Sequence, residues 1–410
     1  MSAKQIVALG GGFAGLWAAA SAARKLDELS IGPDQVQVTL VNRDAYHSIR
    51  VRNYEADLSN TRILLDDVLG PIGVPRIEAA VTAIDPSRKC VSLSEGTQPR
   101  ELNYDRLIFA LGSQLARPNL PGLAEYAFDI DTYSAADRLN AHLRDLPFQP
   151  NSSGRFTVVV VGAGLTGIEA ATEMPAKLDA ALAAAGVNES YRVILIDHQT
   201  HAGSDMGESA RPVIERALAA LNVETRVGVQ VAKISDHDLT LAGGETIPTS
   251  TVVWCAGMRA NPLTKELPVA HDRFGRVTVD RFLRVVGCPD IFAAGDVASL
   301  PLDDVHTTVM SCQFGRPMGR FAGNNAVCDL LSVPMLPLAI DWYVTVLDLG
   351  GWGAVYTEGW DRQVVAEGEV AKRTKQEINC RRIYPPLAHN RAEILAAAAP
   401  IIQRPPAYGR

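Results

Sequence analysis

Apolar and polar positions follow one pattern twice along this chain. The run Ile6-Val7-Ala8-Leu9 meets Gly10-Gly11-Gly12-Phe13-Ala14-Gly15 and then an Ala-rich stretch with helical spacing. Val158-Val159-Val160-Val161 meets Gly162-Ala163-Gly164-Leu165-Thr166-Gly167 and again an Ala-rich stretch. Each copy predicts strand, tight turn, helix, with the G-x-G-x-x-G spacing of a dinucleotide cradle. The glycines divide the labour. Gly10 and Gly162 permit the turn out of the strand, Gly12 and Gly164 leave room for a pyrophosphate, and Gly15 and Gly167 let helix and strand pack closely. Phosphate then lies at a helix N-terminus, where unpaired N–H groups favour negative charge.

After the first cradle the pattern predicts a helix to about Leu29 and a strand over 36–41. The fingerprint expects an acid at the end of that strand, to bind a ribose hydroxyl. This chain has Asn42, then Arg43-Asp44; an amide can bond a diol without charge assistance. Short alternating segments at 79–84, which include Val81, and at 90–93 predict a small antiparallel excursion. Leu107 to Ser113 reads as a buried strand ending in a Gly turn, at Ala110 and Gly112. A Pro/Asn/Ser/Gly linker at 147–154 leads into the second cradle. There the pattern predicts a helix to about Met174, a break at Pro175, and helix again to Ala185. The next strand, 191–196, ends in Asp197, with no arginine immediately after it. That carboxylate would accept from ribose hydroxyls and repel a 2′-phosphate, favouring NADH over NADPH. Thr251 to Gly257 repeats the strand–Gly turn, now at Ala256-Gly257. A polar strand at 276–280 precedes Ile291 to Ala298, an apolar strand ending in Gly295-Asp296 before a predicted helix. Asp296 there is placed to bind a polyol, to cap the helix, or both.

Composition narrows the function. Of 410 residues, 47% are apolar, enough for two or three globular domains. A net charge of −7 argues against a nucleic-acid surface. The basic residues Lys372, Arg373, Lys375, Arg381 and Arg382 read as a solvated helix face. Cysteines 90, 255, 288, 312, 328 and 380 include no C-x-x-C and no close pair, which fits a reducing compartment and excludes a redox disulfide. No Cys/His spacing suits a metal. The uncharged run from Gln5 to Ala23 could pass for a signal peptide or membrane span, but the cradle glycines explain it better.

Two cradles, paired strand–Gly turns and the Ala293-Ala294-Gly295-Asp296 element, in this order, resemble the two-dinucleotide-binding flavoprotein superfamily. The resemblance implies an α/β fold of two Rossmann-like, doubly wound, three-layer domains. The NAD domain would be inserted in the FAD domain, with an α+β C-terminal region. It divides the chain into 1–125 and 263–335 for FAD, 150–262 for NAD(P)H, and 336–410 for the acceptor side or for a homodimer contact. Within the superfamily the chain is most similar to type II NADH dehydrogenases. The segments carrying that likeness are Val38 to His47 with Tyr54-Glu55-Ala56, Gly164 to Glu173, and Ser311-Cys312-Gln313-Phe314-Gly315 with Asn324-Asn325.

The resemblance implies FAD contacts at Gly10, Gly12, Phe13, Ala14, Gly15, Asn42, Arg43, Val81, Ala110, Gly112, Gly295, Asp296, Cys312 and Gln313. It implies NADH contacts at Gly162, Gly164, Leu165, Thr166, Gly167, Glu169, Asp197, Ala256 and Gly257. Asp296 matches the ribityl-binding aspartate, and Glu173 matches a glutamate placed near flavin and nicotinamide. The implied reaction is hydride transfer from NADH to FAD, then electrons to a small acceptor, with quinone favoured. Catalytic candidates are Glu173, Arg50 and Gln313. Glu173 steers nicotinamide, relays protons, or is a surface carboxylate; Arg50 stabilises charge on reduced flavin or is solvated. Cys312-Gln313 would offer backbone donors to the flavin, and His47 and His306 read as structural. The family's glutamine pair is Cys312-Gln313 here, and no long amphipathic anchor is evident, since the apolar run 393–402 is broken by Pro400. The expected location is cytoplasmic, or peripheral on the inner face of the membrane. The alternatives are a reductase of a ferredoxin- or rubredoxin-type protein, which the negative charge disfavours, and a flavin-binding sensor without turnover.

Overall fold

The computed structural model describes residues 2–95 and 98–406. Two five-stranded parallel sheets carry the two cradles. The first has the order Ile291–Ala293, Arg106–Phe109, Lys4–Leu9, Val36–Asn42, Arg76–Glu78. The second has the order Ala127–Phe128, Thr251–Trp254, Thr157–Val161, Arg192–Ile196, Val223–Arg226. In each, the strand before the cradle is central, so its residues are buried on both faces and read as continuous apolar runs. The strand Ile291–Ala293 returns from late in the chain to pair with Arg106–Phe109. An antiparallel sheet of Ala80–Asp85, Cys90–Glu95 and Gln98–Asn103 forms the excursion. Its third strand, Gln-Pro-Arg-Glu-Leu-Asn, shows no apolar alternation, and pairing with Cys90–Glu95 alone defines it.

The long helix Cys312–Leu330 lies along the first cradle helix, Phe13–Glu28, and glycines set the distance. A Cβ at Gly319 would stand 2.1 Å from the Ala14 carbonyl oxygen, and one at Gly323 2.0 Å from that of Ala18. The C-terminal part is an antiparallel sheet of Val344–Asp348, Ala354–Glu358 and Gln363–Glu367, followed by a helix at Gly368–Glu377 and a five-residue π turn at Ile378–Arg382. It packs against the second cradle helix, with Gly350 so close that a Cβ would reach 2.2 Å from Thr172 O.

Two expectations are corrected. The helix over the second cradle is continuous from Leu165 to Ala185, with Pro175 inside it. Burial on both sides of the proline, at Ala171, Met174, Leu178 and Leu182, outweighs the one backbone bond it removes. The Gly295-Asp296 element leads into a single 3-10 turn, Gly295–Val297, with Asp296 inside the turn and not at a cap; the following helix begins only at Cys312.

Substituting Gly319→Ala should cost about 1–3 kcal/mol, because the added methyl meets backbone and not a movable side chain. Thermal unfolding followed by circular dichroism checks this; an unchanged midpoint would show that the helices can separate freely.

Candidate functional site

The cradles are built alike down to one hydrogen bond. Gly10 and Gly162 have φ values of +99° and +103°, open to glycine and strained for other residues. A Cβ at Gly15 would sit 1.8 Å from Gly10 O, and one at Gly167 1.7 Å from Gly162 O, so each helix rests directly on its turn. Gly12 faces open space, with nothing within 4 Å of an added Cβ, as a pyrophosphate requires. At the end of the next strand the side chain turns back onto the loop. Asn42 Oδ1 accepts from Gly11 N at 2.8 Å, and an Asp197 carboxylate oxygen accepts from Ala163 N. Asn42 thus spends its oxygen on the loop, while its Nδ2 donates to Asp44 O at 2.9 Å. Asp197 keeps a second oxygen, which accepts from Gln199 N at 2.7 Å and lies 3.2 Å from His198. A cavity of about 260 Å³ opens there, lined by Gly162, Asp197, His198, Gln230, Trp254 and Ala256. His198 is a lining residue that the sequence reading passed over; its place directly after the strand-ending acid was the available signal.

On the first cradle, Phe13 meets the buried His47 edge to face at 5.1 Å, and His47 Nδ1 donates to Gly11 O at 2.8 Å. Burial brings the imidazole down to about 4, so it is neutral at pH 7. Ala110 closes the floor, with its carbonyl 2.5 Å from a Cβ placed on Gly10. Gly112 (φ +70°) accepts from Asn261 N at 2.9 Å, and Gly257 (φ +80°) accepts from Ala116 N at 3.0 Å, which ties the two turns together. Asp296 accepts from Ser113 Oγ and lies 4.0 Å from Arg50; burial raises its carboxyl. Arg50 is half-buried and held by Asp131 and by Ser113, at 3.2 Å to O and 3.0 Å to Oγ, so the solvated reading fails. Arg43 is exposed, and Val81 stands on the antiparallel excursion. Cys312 opens the long helix, its thiol raised by burial, and Gln313 Oε1 accepts from Val344 N at 3.2 Å.

The two glutamates of the second cradle helix separate. Glu169 is buried and accepts from Lys375 Nζ at 2.6 Å and from Asp348 N at 3.2 Å. Lys375 also donates to Val346 O at 2.9 Å; its attraction to Glu169 holds the ammonium above the usual lysine range. Glu173, one turn on, is half-buried with its carboxyl raised by burial, and it lines a charged cavity of about 560 Å³ with Arg52, Tyr54, Asp348, Lys372 and Asn379. The basic cluster is therefore not a solvated face. Lys375 is buried on Glu169 and the half-buried Lys372 pairs with Asp348, while Arg382 is half-exposed and Arg373 and Arg381 are exposed. Ala371, Thr374 and Lys375 share the buried face of their helix, a three-and-four spacing that could have singled out Lys375. His306 pairs with Asp303 and stacks on Trp360 at 4.3 Å. Among the described residues no group of acidic, His or Cys side chains could hold a metal, and no helix is long and apolar enough to cross a membrane.

Two glycine cradles on twin parallel sheets define an oxidoreductase that works with two dinucleotides, FAD and NADH. The chain belongs to the pyridine nucleotide-disulphide oxidoreductase family, whose pattern matches residues 4–319. It is 58% identical over 402 residues to an NADH dehydrogenase-like protein of Mycobacterium tuberculosis, covering 98% of this chain and 100% of that one. It is 26% identical over 403 residues to a type II NADH:quinone oxidoreductase of Staphylococcus saprophyticus, covering 93% and 95%. The structure of NDH2 from Plasmodium falciparum in complex with NADH superposes with a TM-score of 0.78 at 14% identity, covering 96% and 97%. The disulphide of the family's name has no counterpart here, as all six cysteines are free.

Asp197→Ala should lower the NADH-to-NADPH ratio of kcat/KM by about tenfold, the scale of one charge-assisted hydrogen bond. Equal ratios before and after would remove Asp197 from nucleotide choice. His47 sets a pH dependence. Between the imidazole's ordinary 6.5 and its folded value of about 4, only the unfolded chain binds the proton, so stability falls as pH falls through that window. The slope from this one group reaches about 1.4 kcal/mol per pH unit. Comparing melting at pH 7 and pH 5 in the native chain and in His47→Gln isolates it.

Proposed function

We propose that the chain is an NADH dehydrogenase of the type II kind, passing electrons from NADH to a quinone. The observation carrying this reading is the buried Glu169–Lys375 pair, which joins the second cradle helix to the C-terminal part. FAD, when bound, supplies the chemistry of accepting a hydride and releasing its electrons to an acceptor. The chain's own residues do the rest. The second cradle orients NADH through Gly164 to Gly167 and Asp197; the first holds FAD through Gly10 to Gly15, Asn42 and Asp296. Glu169 and Lys375 hold a proton between Oε1 and Nζ, in a buried site beside the charged cavity, where quinone reduction consumes protons. Glu173, Tyr54 and Asp348 line the path from that pair to solvent. Arg50 steadies negative charge near Asp296 and Ser113, and Cys312-Gln313 present the first turn of their helix to the flavin. The 1–125 and 263–335 segments serve FAD, 150–262 serves NADH, and 336–410 forms the acceptor side. Contact with a membrane, where it occurs, is peripheral.

Steady-state oxidation of NADH with menadione, ubiquinone, ferricyanide and a ferredoxin tests the acceptor. Rapid quinone turnover is expected; turnover only with the iron–sulfur protein would overturn the quinone reading. Glu169→Gln should reduce quinone turnover by about 10²-fold or more, the ordinary scale of a positioned proton donor. Flavin content, read as the absorbance ratio at 450 and 280 nm, should stay level. Full turnover in that variant would remove the pair from the chemistry.

A further inference from the structure

The long helix Cys312–Leu330 buries two cations for which no described residue offers a counter-charge. Arg316 and Arg320 are 9% and 3% exposed, the Nε of each is buried without a hydrogen-bond partner, and neither side chain forms an ion pair among the described residues. Both lie against one ring: their Cζ atoms stand 5.5 Å and 4.4 Å from the centre of Trp17. Trp17 is 1% exposed, and its Nε1–H also lacks an acceptor. Two guanidinium Nε–H donors and an indole N–H, gathered around one ring, therefore lack an acceptor among the described residues. Cation–π attraction to the indole offsets part of the cost of taking each charge out of water, and the ring alone does not balance it. Burial lowers both guanidinium groups, Arg316 to about 10 and Arg320 to about 9, and both are still charged at pH 7.

The place of the cluster narrows the ligand. Gly315, the residue before Arg316, brings its would-be Cβ within 3.7 Å of the Phe13 Cβ and 4.0 Å of Ala14 N, at the N-terminal turn of the first cradle helix. Trp17 lies one turn further along that helix. Cys312, His47, Arg320 and Arg382 are the ionisable groups that interact with Arg316, and none of them is an anion at neutral pH. We infer that Arg316, Arg320 and Trp17 form a buried anion site beside the first cradle, built for a phosphate group. The planar forks of two arginines match phosphate oxygens in charge and in direction. That phosphate comes either from the pyrophosphate of FAD or from a separate phosphate-bearing molecule. The inference does not depend on which acceptor the enzyme uses.

The test uses the FAD-loaded protein and the single variants Arg316→Gln and Arg320→Gln, with Arg316→Lys and Arg320→Lys as charge-keeping controls. Flavin retention is measured by dialysis at rising salt, and inorganic pyrophosphate is titrated while thermal midpoints are recorded against chloride at equal ionic strength. If the anion is FAD's own pyrophosphate, the glutamine variants release flavin at least tenfold more readily and the lysine variants recover part of the loss. If the anion arrives separately, flavin retention is unchanged, and pyrophosphate stabilises the native protein but not the glutamine variants. Should a glutamine variant fail to fold, the lysine variant and the native protein's response to pyrophosphate decide the matter. Native-like flavin retention in the variants, with no stabilisation of the native protein by pyrophosphate, overturns the site.

Discussion

The structure depends on helix backbone touching turn backbone at two equivalent points. Where Gly15 faces Gly10 O and Gly167 faces Gly162 O, less than 2 Å would separate a methyl carbon from a carbonyl oxygen. Only a hydrogen fits. This contact aims each helix N-terminus across the end of its parallel sheet, and it leaves Gly12 open for phosphate. A third close approach, of Gly319 and Gly323 on Ala14 and Ala18, fastens the helix Cys312–Leu330 to the first cradle helix. That helix brings Gln313 to Val344 N and Arg316 and Arg320 to Trp17.

The equivalent clips at Asn42 and Asp197 give a physical account of why one cradle lacks an acid. Both side chains first hold their own loop, through Gly11 N and Ala163 N. An amide oxygen does this as well as a carboxylate oxygen. The difference lies in what remains: Asn42 turns its Nδ2 to Asp44, whereas Asp197 turns its second oxygen to Gln199 N and His198, beside the cavity that His198 and Trp254 line.

The C-terminal part does more than cover the cradles. Lys375 reaches across to Glu169, Asp348 bonds both Tyr54 and Lys372, and Gly350 rests on Thr172. One polar network thus ties together a loop after the first sheet, the helix over the second, and the last sheet of the chain. Such a network is costly unless every charge is matched, and here each buried charge has its partner. The pair at Arg316 and Arg320 is the contrast, two charges without an ion-pair partner among the described residues, and for that reason it reads as a place for a ligand.

By itself the sequence determined whatever depends on near neighbours. Turn glycines, buried strand runs, the order of the two cradles, the apolar strand before Asp296 and the acid at Asp197 follow from spacing, because sterics and strand–turn–helix geometry act over a few residues. Tertiary structure alone decided what depends on partners far along the chain. Pro175 stays helical because its surroundings are buried, and the strand Gln98–Asn103 exists because Cys90–Glu95 offers it an edge. Arg50 is held by Asp131, and Lys375 lies beneath Glu169 rather than in water. A charge carries no mark of its own burial. Whether it faces solvent, a counter-ion or a ligand depends on chain segments hundreds of positions away, and those are brought together only when the helices pack.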